Sequence, residues 1–273
     1  MKTRVLILGS TGMLGNAVVK HFLTARKYNV STTYRNKALA FDGSSIEFDV
    51  VKDSLNQIPG NFDYVINCIG MIKPFMAQNP MEAIKVNSLF PWQVAKWCKE
   101  YGQRLIHITT DCVYSGAKGK YKEVDLHDAL DVYGKSKSLG ECTSDAMVLR
   151  TSIIGEEIHK NASLISWAKS QKGKEVDGYA THLWNGITAN WYAKVCDFII
   201  QNHIYEKGLF HIFAEDDVSK FKMLHYFNEK FNLNLVIKRT EPEPIDRTLR
   251  TDKFLCKKLK IPTVKEMIWE MPQ

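Results

Sequence analysis

A tyrosine and a lysine separated by three residues can act as a catalytic pair, and this sequence contains the spacing three times. The pairs are Tyr114 with Lys118, Tyr133 with Lys137, and Tyr226 with Lys230. A tyrosine can protonate a carbonyl oxygen during hydride transfer, and a nearby lysine ammonium favours the phenolate by lowering the tyrosine pKa. On a helix, the two side chains would lie on one face. The surrounding sequence must therefore identify the pair that does chemistry.

Only one of the three pairs follows a strand that ends in hydroxyl residues. "RLIHITT" at 104–110 is predicted to be a buried strand, and 130–144 is predicted to be the helix that carries Tyr133 and Lys137. Ligands of open α/β sheets bind at the carboxyl ends of the strands, where Thr110 would lie. The first pair spans "YSGAK", in which glycine disfavours a helix. The last pair has no strand-end hydroxyl before it.

The pattern of the chain predicts the elements that position these side chains. Predicted strands at 4–8, 29–34, 45–50, 63–70, 104–110 and 146–152 alternate with predicted helices at 12–26, 80–102 and 130–144. This alternation predicts an α/β fold with a Rossmann-type, doubly wound parallel sheet. Residues 156–185 show no clean period, and a helix at 188–201, a strand at 208–213 and a helix at 218–231 follow.

The same pattern predicts two parts of the chain. Residues 1–155 are predicted to form an NADP-binding Rossmann core. Residues 156–273 are predicted to form mostly a smaller, discontinuous C-terminal substrate lobe, with about 186–215 returning to the core. The active site is expected between the two parts.

A glycine-rich turn joins the first predicted strand to the first predicted helix. In "LILGSTGMLG", Gly9 would permit a tight turn, Gly12 would let a pyrophosphate approach the backbone, and Gly15 would let the helix pack closely. The free N–H groups at the start of the helix would bind the phosphates.

The second strand ends in "STTYRNK" without a carboxylate, and Arg35 suits a 2′-phosphate, so NADP(H) is favoured over NAD(H). Asp49 could accept a hydrogen bond from adenine or could serve as a turn residue.

Composition narrows the class of protein. The net charge of +7 is scattered rather than clustered, and 45% of the residues are hydrophobic. These values predict a folded protein that does not bind nucleic acid. The cysteines have no metal-ligand spacing and no apolar stretch reaches the length of a membrane span, so we expect no metal, no membrane association and a cytoplasmic protein with reduced thiols.

Four segments, in order, resemble the extended short-chain dehydrogenase/reductases: "GSTGMLG", "IHITTDCVYSG", "VYGKSKSLGE" and "VLRTSIIG". The likeness is greatest to dTDP-4-dehydrorhamnose reductases and related nucleotide-sugar 4-ketoreductases. The resemblance implies a catalytic triad of Thr110, Tyr133 and Lys137. It also implies NADPH-dependent reduction of the C4 keto group of a dTDP- or UDP-linked 4-keto-6-deoxyhexose, in deoxysugar and polysaccharide precursor biosynthesis. Lys137 would bind the nicotinamide ribose and lower the pKa of Tyr133.

The resemblance also implies ligand contacts and leaves a homodimer open. The cofactor residues expected besides Tyr133 and Lys137 are Gly9, Thr11, Gly12, Met13, Leu14, Gly15, Arg35, Asp49, Val50, Cys68, Ile69, Gly70, Asn87, Thr109 and Ile153. The substrate residues expected are Met71, Cys112, Tyr133, Trp184 and Arg247, the last as a candidate for the substrate pyrophosphate.

Two departures from the family pattern keep alternatives open. Rhamnose reductases usually carry aromatic residues where this chain has Cys112 and Ile153. In bifunctional epimerase/reductases such as GDP-fucose synthase, a cysteine at this point acts with a histidine, and His159 lies in roughly the corresponding region. Cys112 is therefore either part of a 3,5-epimerase/4-reductase site or an inert residue against the sugar. A further alternative is a non-catalytic NADP-binding regulatory subunit, as in the member that regulates methionine adenosyltransferase.

Overall fold

The computed structural model describes residues 1–76, 79–157 and 163–272 of the chain. Its strands are β1 (Thr3–Leu8), β2 (Tyr28–Tyr34), β3 (Ser44–Glu47), β4 (Tyr64–Asn67), β5 (Arg104–Thr110), β6 (Met147–Thr151), β7 (Ile153–Ile154), β8 (Glu175–Tyr179), β9 (His182–Trp184), β10 (Ile187–Thr188), β11 (Gly208–His211), β12 (Val218–Ser219), β13 (Val236–Thr240) and β14 (Ile245–Asp246). Its helices are α1 (Met13–Ala25), α2 (Lys73–Met76), α3 (Pro80–Ile84), α4 (Phe90–Glu100), α5 (Val132–Leu139), α6 (Leu164–Ser170), α7 (Ala189–Gln201), α8 (Lys220–Phe231), α9 (Phe254–Leu259) and α10 (Val264–Trp269).

Seven strands form one parallel sheet, in the order β11-β6-β5-β4-β1-β2-β3. The predicted α/β fold with a doubly wound sheet is confirmed by this order. The strand order reverses at β1, which has β2 on one side and β4 on the other. In such sheets the crevice beyond the carboxyl ends of the strands at this reversal is the usual ligand site. The loops after β1 and β4 open into that crevice.

Both faces of the central sheet are buried, as the continuous apolar run of β1 predicts. Val5 and Ile7 pack on one face in a cluster that includes residues of α1 and α7. Leu6 and Leu8 point to the opposite face and pack in a second cluster that includes residues of α4. The period of two along a strand therefore divides the core into two layers.

The sequence predicted the central strands more accurately than the segments after them. The fifth strand has the predicted bounds, whereas the fourth ends at Asn67, earlier than expected. The predicted helix at 80–102 is interrupted by a π-helical turn at Lys85–Leu89. The segment at 156–185, expected to be irregular, contains α6, β8 and β9. Its strands pair with β13, β12 and β14 from much later in the chain, so local periodicity could not reveal them. The division into two parts at 155 stays a prediction.

The glycine loop combines a tight turn with a close helix contact. Gly9 has a φ of 82°, a conformation that residues with a Cβ rarely adopt. Its N–H donates to Thr33 Oγ1 at 2.9 Å, so the end of β2 holds the turn. A Cβ on Gly15 would lie 2.1 Å from the Gly9 carbonyl oxygen, whereas a Cβ on Gly12 would lie 3.6 Å from it. Gly15 is therefore required for packing, and Gly12 has space beside it.

A fully buried arginine connects several elements near the carboxyl end of the sheet. Arg150 of β6 has no exposed surface, and its guanidinium donates to both carboxylate oxygens of Glu141, at 3.0 and 2.6 Å. The remaining partners of the guanidinium are Tyr114 Oη, His127 Nε2 and His211 Nε2. Burial, and then the charge of Arg150, lower the pKa of both imidazoles, to about 4 for His211. Neutral rings can therefore accept from the guanidinium.

We expect Gly15→Ala to destabilise the protein by about 3 kcal/mol or more, because the new methyl group would overlap backbone that cannot move aside. Gly12→Ala is the matched control, since its methyl group would make only an ordinary contact. The free energy of unfolding in urea measures both changes. Equal stability of the two variants would contradict the close packing described for Gly15.

Glu141→Gln should cost about 3–5 kcal/mol of unfolding free energy, because it leaves the Arg150 guanidinium buried without its counter-charge. Glu241→Gln is the control, because Glu241 forms an ion pair with Arg239 in which both side chains are exposed, and such pairs contribute less than about 1 kcal/mol. Urea unfolding of both variants gives the comparison. A loss at Glu141 as small as that at Glu241 would refute a structural role for the buried pair.

Candidate active site

Lys137 reaches the carboxyl end of the sheet from α5. The helix begins after Asp131, whose side chain accepts from the Gly134 N–H at 3.0 Å. Lys137 is buried, and its Nζ donates to the carbonyl oxygen of Ile108 on β5 at 3.0 Å. Burial lowers the pKa of Lys137 to about 8, although the carboxylate of Glu141 opposes the shift. The ammonium is thus positioned beneath the strand end, with a depressed pKa.

Tyr133 lies one helical turn before Lys137 and has a raised pKa. Burial is the main cause, the nearby Cys112 adds to the shift, and a hydrogen bond with Thr110 opposes it. The pKa of Tyr133 is therefore raised and not lowered as expected, since burial disfavours the phenolate, and the Lys137 ammonium donates to the Ile108 carbonyl oxygen. The phenol is therefore protonated at neutral pH, which is the form that can give a proton to a carbonyl oxygen.

Thr110 completes the group of predicted catalytic residues. It is the last residue of β5, and its hydroxyl donates to Asp111 Oδ1 at 3.1 Å and accepts from the Cys112 N–H at 3.1 Å. Its interaction with Tyr133 brings the strand end and the helix together. The hydroxyl is thereby fixed in orientation next to the phenol, so that both groups could contact one carbonyl oxygen.

Two glycines that the sequence analysis passed over allow α5 to approach so closely. A Cβ on Gly134 would lie 2.3 Å from the Cys112 carbonyl oxygen, and one on Gly140 would lie 2.0 Å from the Asn87 carbonyl oxygen. Gly134 stands between the tyrosine and the lysine in "YGKSK". A glycine inside a predicted helix was the available signal, because such glycines often mark close packing.

The loop after β4 lies against the lysine and against the glycine loop. A Cβ on Gly70 would lie 3.6 Å from Asn87 Oδ1 and 3.9 Å from Lys137 Nζ, and one on Gly9 would lie 2.7 Å from Ile69 Cγ1. The Asn87 amide accepts from the N–H of Met71 and donates to its carbonyl oxygen, both at 2.9 Å. Asn87 belongs to the π-helical turn, a feature frequent at functional sites. The loops after β1 and β4 thus meet beside Lys137.

Residues predicted for the adenosine end lie at the ends of β2 and β3. Arg35 is exposed and forms no hydrogen bond or ion pair with any residue in the described ranges, so its guanidinium is available for a ligand. Asp49 is partly buried, and its Oδ1 accepts from the Val51 N–H at 2.9 Å, as a turn residue does. Val50 is buried in the core, so only its backbone could contact a cofactor.

The remaining predicted cofactor residues divide into interior and accessible ones. Leu14 lies in the core, and Thr109 is buried with a hydroxyl that has no hydrogen-bond partner among the described residues. Thr11 and Met13 are partly exposed in the glycine loop, and Cys68 is partly exposed after β4. Ile153 pairs with Ile187 of β10 and is partly exposed. Thr11, Met13 and Cys68 follow β1 or β4 at the crevice, and Ile153 lies on β7. Leu14 and Thr109 could contribute backbone only.

Of the predicted substrate residues, Arg247 lies against Cys112. Arg247 directly follows β14. Its Nη1 lies 3.9 Å from Cys112 Sγ, and its Nε donates to the Tyr114 carbonyl oxygen at 2.8 Å. Met71 is partly exposed in the loop after β4. Trp184 is only 4% exposed and packs in the core, so its ring has little surface for a substrate.

The thiol of Cys112 is protonated at neutral pH. Burial raises its pKa to about 12, the charge of Asp111 adds to this, and Arg247 and Lys73 oppose it. A protonated thiol is a poor base, which disfavours the epimerase alternative. His159, the proposed partner, lies outside the described residues. The epimerase activity therefore stays a prediction.

The described residues form neither a metal-binding cluster nor a membrane-spanning helix. Across 1–76, 79–157 and 163–272, no group of three His, Cys, Asp or Glu side chains could hold a metal ion. Within the same ranges, every helix is too short or too polar to cross a membrane.

Comparison with known proteins identifies the family. The family model described as the RmlD substrate binding domain matches residues 3–253. The methionine adenosyltransferase 2 subunit beta of Bos taurus is 27% identical over 251 residues, covering 84% of this chain and 72% of that protein. The dTDP-4-dehydrorhamnose reductase of Aggregatibacter actinomycetemcomitans is 29% identical over 230 residues, covering 79% and 75%.

A solved structure agrees with the fold described above. The dTDP-4-dehydrorhamnose reductase of Bacillus anthracis str. Ames, in complex with NADP, superposes with a TM-score of 0.79 over 99% of each chain at 19% identity. The family match covers most of the chain, so the resemblance predicted from its motifs is confirmed. The chain belongs to the RmlD substrate-binding domain family of extended short-chain dehydrogenase/reductases, a class of NAD(P)H-dependent oxidoreductases.

Proposed function

We propose that this protein reduces the C4 keto group of a nucleotide-linked 4-keto-6-deoxyhexose, with NADPH as the reductant. The observation that carries the proposal is the grouping of a protonated phenol, an oriented threonine hydroxyl and a buried ammonium at the end of β5. These groups border the crevice at the reversal of strand order. The similarity to a dTDP-4-dehydrorhamnose reductase supports the substrate class.

The residues around the crevice fit a nicotinamide dinucleotide. Gly12 is exposed and directly precedes α1, so a pyrophosphate could approach its backbone and the N–H groups at the start of the helix. Arg35 is exposed and has no partner among the described residues, which supports a preference for the 2′-phosphate of NADP(H) over NAD(H). The bound nicotinamide would supply the hydride for the carbonyl carbon.

The proton side of the reaction falls to this chain's own residues. Thr110 and Tyr133 would both hydrogen-bond the substrate C4 oxygen, and the Tyr133 hydroxyl would give its proton to that oxygen as the C–H bond forms. Lys137 would supply positive charge beneath the phenol and limit the cost of the phenolate that remains. The close packing of α5 on the end of β5 would exclude water from the reacting C4 oxygen.

A second candidate is a regulatory subunit, because the comparison also found methionine adenosyltransferase 2 subunit beta. In that function the cofactor site would stabilise the fold or a complex, and turnover would be absent. Tyr133 is partly buried and hydrogen-bonds Thr110, and Lys137 is buried against the Ile108 carbonyl group. This arrangement favours catalysis, because a binding subunit has no need of the triad.

Purified protein should oxidise NADPH when dTDP-4-keto-6-deoxyglucose or its UDP counterpart is added, and Tyr133→Phe should lower kcat about 100-fold or more, because the proton donor is lost. Absorbance at 340 nm follows the reaction, and NMR identifies the product. Tyr226→Phe is the control, as the same change at a Tyr-x-x-x-Lys pair remote from β5. Full turnover by Tyr133→Phe would refute the mechanism, and no turnover by the wild type with NADPH would favour the regulatory candidate.

The pH dependence of kcat/KM for NADPH should report Lys137. Its pKa in the folded protein is lowered, so the ammonium is present below about pH 8 and is lost as the pH rises through that value. We expect kcat/KM to fall about tenfold per pH unit above this point. In Lys137→Arg the guanidinium stays charged and the fall should disappear, even if the maximal rate is lower. The same descending limb in that variant would assign the titration to another group.

A further inference from the structure

Lys220 carries a positive charge that the described structure leaves without an anionic partner. It follows β12 and is the first residue of α8, and its side chain is partly buried. Its Nζ lies 5.8 Å from the centre of the Trp184 ring. Within the described residues, it forms no hydrogen bond and no ion pair. The ring shields the ammonium from water on one side without neutralising it.

The charges around Lys220 are those of the candidate active site. Burial lowers its pKa, and the groups that act on it through their charge are Asp111, Cys112 and Arg247. Two of these residues directly follow Thr110 in the chain, and the third lies 3.9 Å from the Cys112 sulfur. The sheet geometry agrees, because Ser219 of β12 and Asp246 of β14, the residues before Lys220 and Arg247, both pair with Leu183 of β9. Lys220 therefore lies near Arg247, in the region where the substrate sugar is expected.

The other cations near Cys112 are already bound to protein groups. Lys73 forms an ion pair with Asp131 at 3.0 Å, and Arg247 Nε donates to the Tyr114 carbonyl oxygen. Of the three cations in this region, Lys220 is the one that has no such partner among the described residues. An ammonium that is partly removed from water and has no anionic partner is unfavourable, and an anionic ligand would offset that cost.

A purely structural role accounts less well for this arrangement. Asp111 is the nearest candidate for a counter-ion, but its Oδ1 accepts from the Thr110 hydroxyl and it lies outside ion-pair distance of Lys220. Lys222, two residues later on the same helix, is exposed and needs no partner. Of these two lysines, Lys220 is therefore the one that lies toward the candidate site.

We propose that Lys220 binds an anionic oxygen group of the nucleotide-sugar substrate, together with Arg247. This group is either the diphosphate or a carboxylate on the sugar, and both would form charge-assisted hydrogen bonds with an ammonium and a guanidinium. The inference rests on the proposed function, since it takes the substrate to be a nucleotide sugar. It makes Lys220 a substrate-binding and specificity-determining residue rather than a catalytic one.

Isothermal titration calorimetry of the full chain with UDP-glucose, dTDP-glucose and UDP-glucuronic acid tests the proposal. Lys220→Met should weaken binding about tenfold to a hundredfold, as expected for the loss of a hydrogen bond to a charged group. Lys220→Arg should retain most of the affinity, and Lys222→Met should match the wild type. Because Lys220→Met removes an unpaired charge, its melting temperature should equal or exceed that of the wild type.

The three ligands separate the sources of the anion. An equal loss for UDP-glucose and UDP-glucuronic acid identifies the diphosphate, and a loss confined to UDP-glucuronic acid identifies a sugar carboxylate. Unchanged affinities in Lys220→Met would overturn the role of Lys220 while leaving the reductase proposal intact, and a lowered melting temperature with unchanged affinity would make it a structural residue. A wild type that binds none of the three would overturn the proposed substrate class and this inference with it.

Discussion

One buried charge sets the position of the helix on which the candidate site depends. The guanidinium of Arg150 has no contact with water, and a charge in that setting must be paired or it destabilises the fold. The guanidinium forms an ion pair with Glu141, just beyond α5, and donates a hydrogen bond to the hydroxyl of Tyr114, just beyond β5. The end of α5, the adjacent strand and the loop that contacts Arg247 are thereby joined at one point.

Close backbone contacts fix the same helix from other directions. Gly134 lies against the Cys112 carbonyl group, and Gly140 lies against that of Asn87. With Arg150 near one end, α5 has little freedom to slide or rotate. The Tyr-x-x-x-Lys spacing has chemical meaning only under this constraint, because a helix even slightly farther from β5 would leave Tyr133 out of reach of Thr110.

The sequence predicted those features that depend on local pattern. The bounds of β5 and the glycine loop follow from periodicity and glycine spacing. The choice of Tyr133 over the other two tyrosines follows from the rule for strand ends and stays a prediction. The segment around β8 and β9 was missed because its strands pair with β13, β12 and β14, which no local window contains. The contribution of Lys220 was missed for the same reason, since its neighbours Asp111 and Cys112 are distant in the chain.

The electrostatics near Cys112 bear on the choice between reduction and epimerisation, which stays a prediction. Epimerisation needs a base that removes a proton from carbon, whereas burial keeps the Cys112 thiol protonated, with a pKa of about 12, despite the opposing charges of Arg247 and Lys73. Burial also raises the pKa of Tyr133 and so keeps its phenol protonated. One physical cause, desolvation, therefore acts on both groups in the same direction. It favours a site that gives a proton to a carbonyl oxygen over one that takes a proton from carbon.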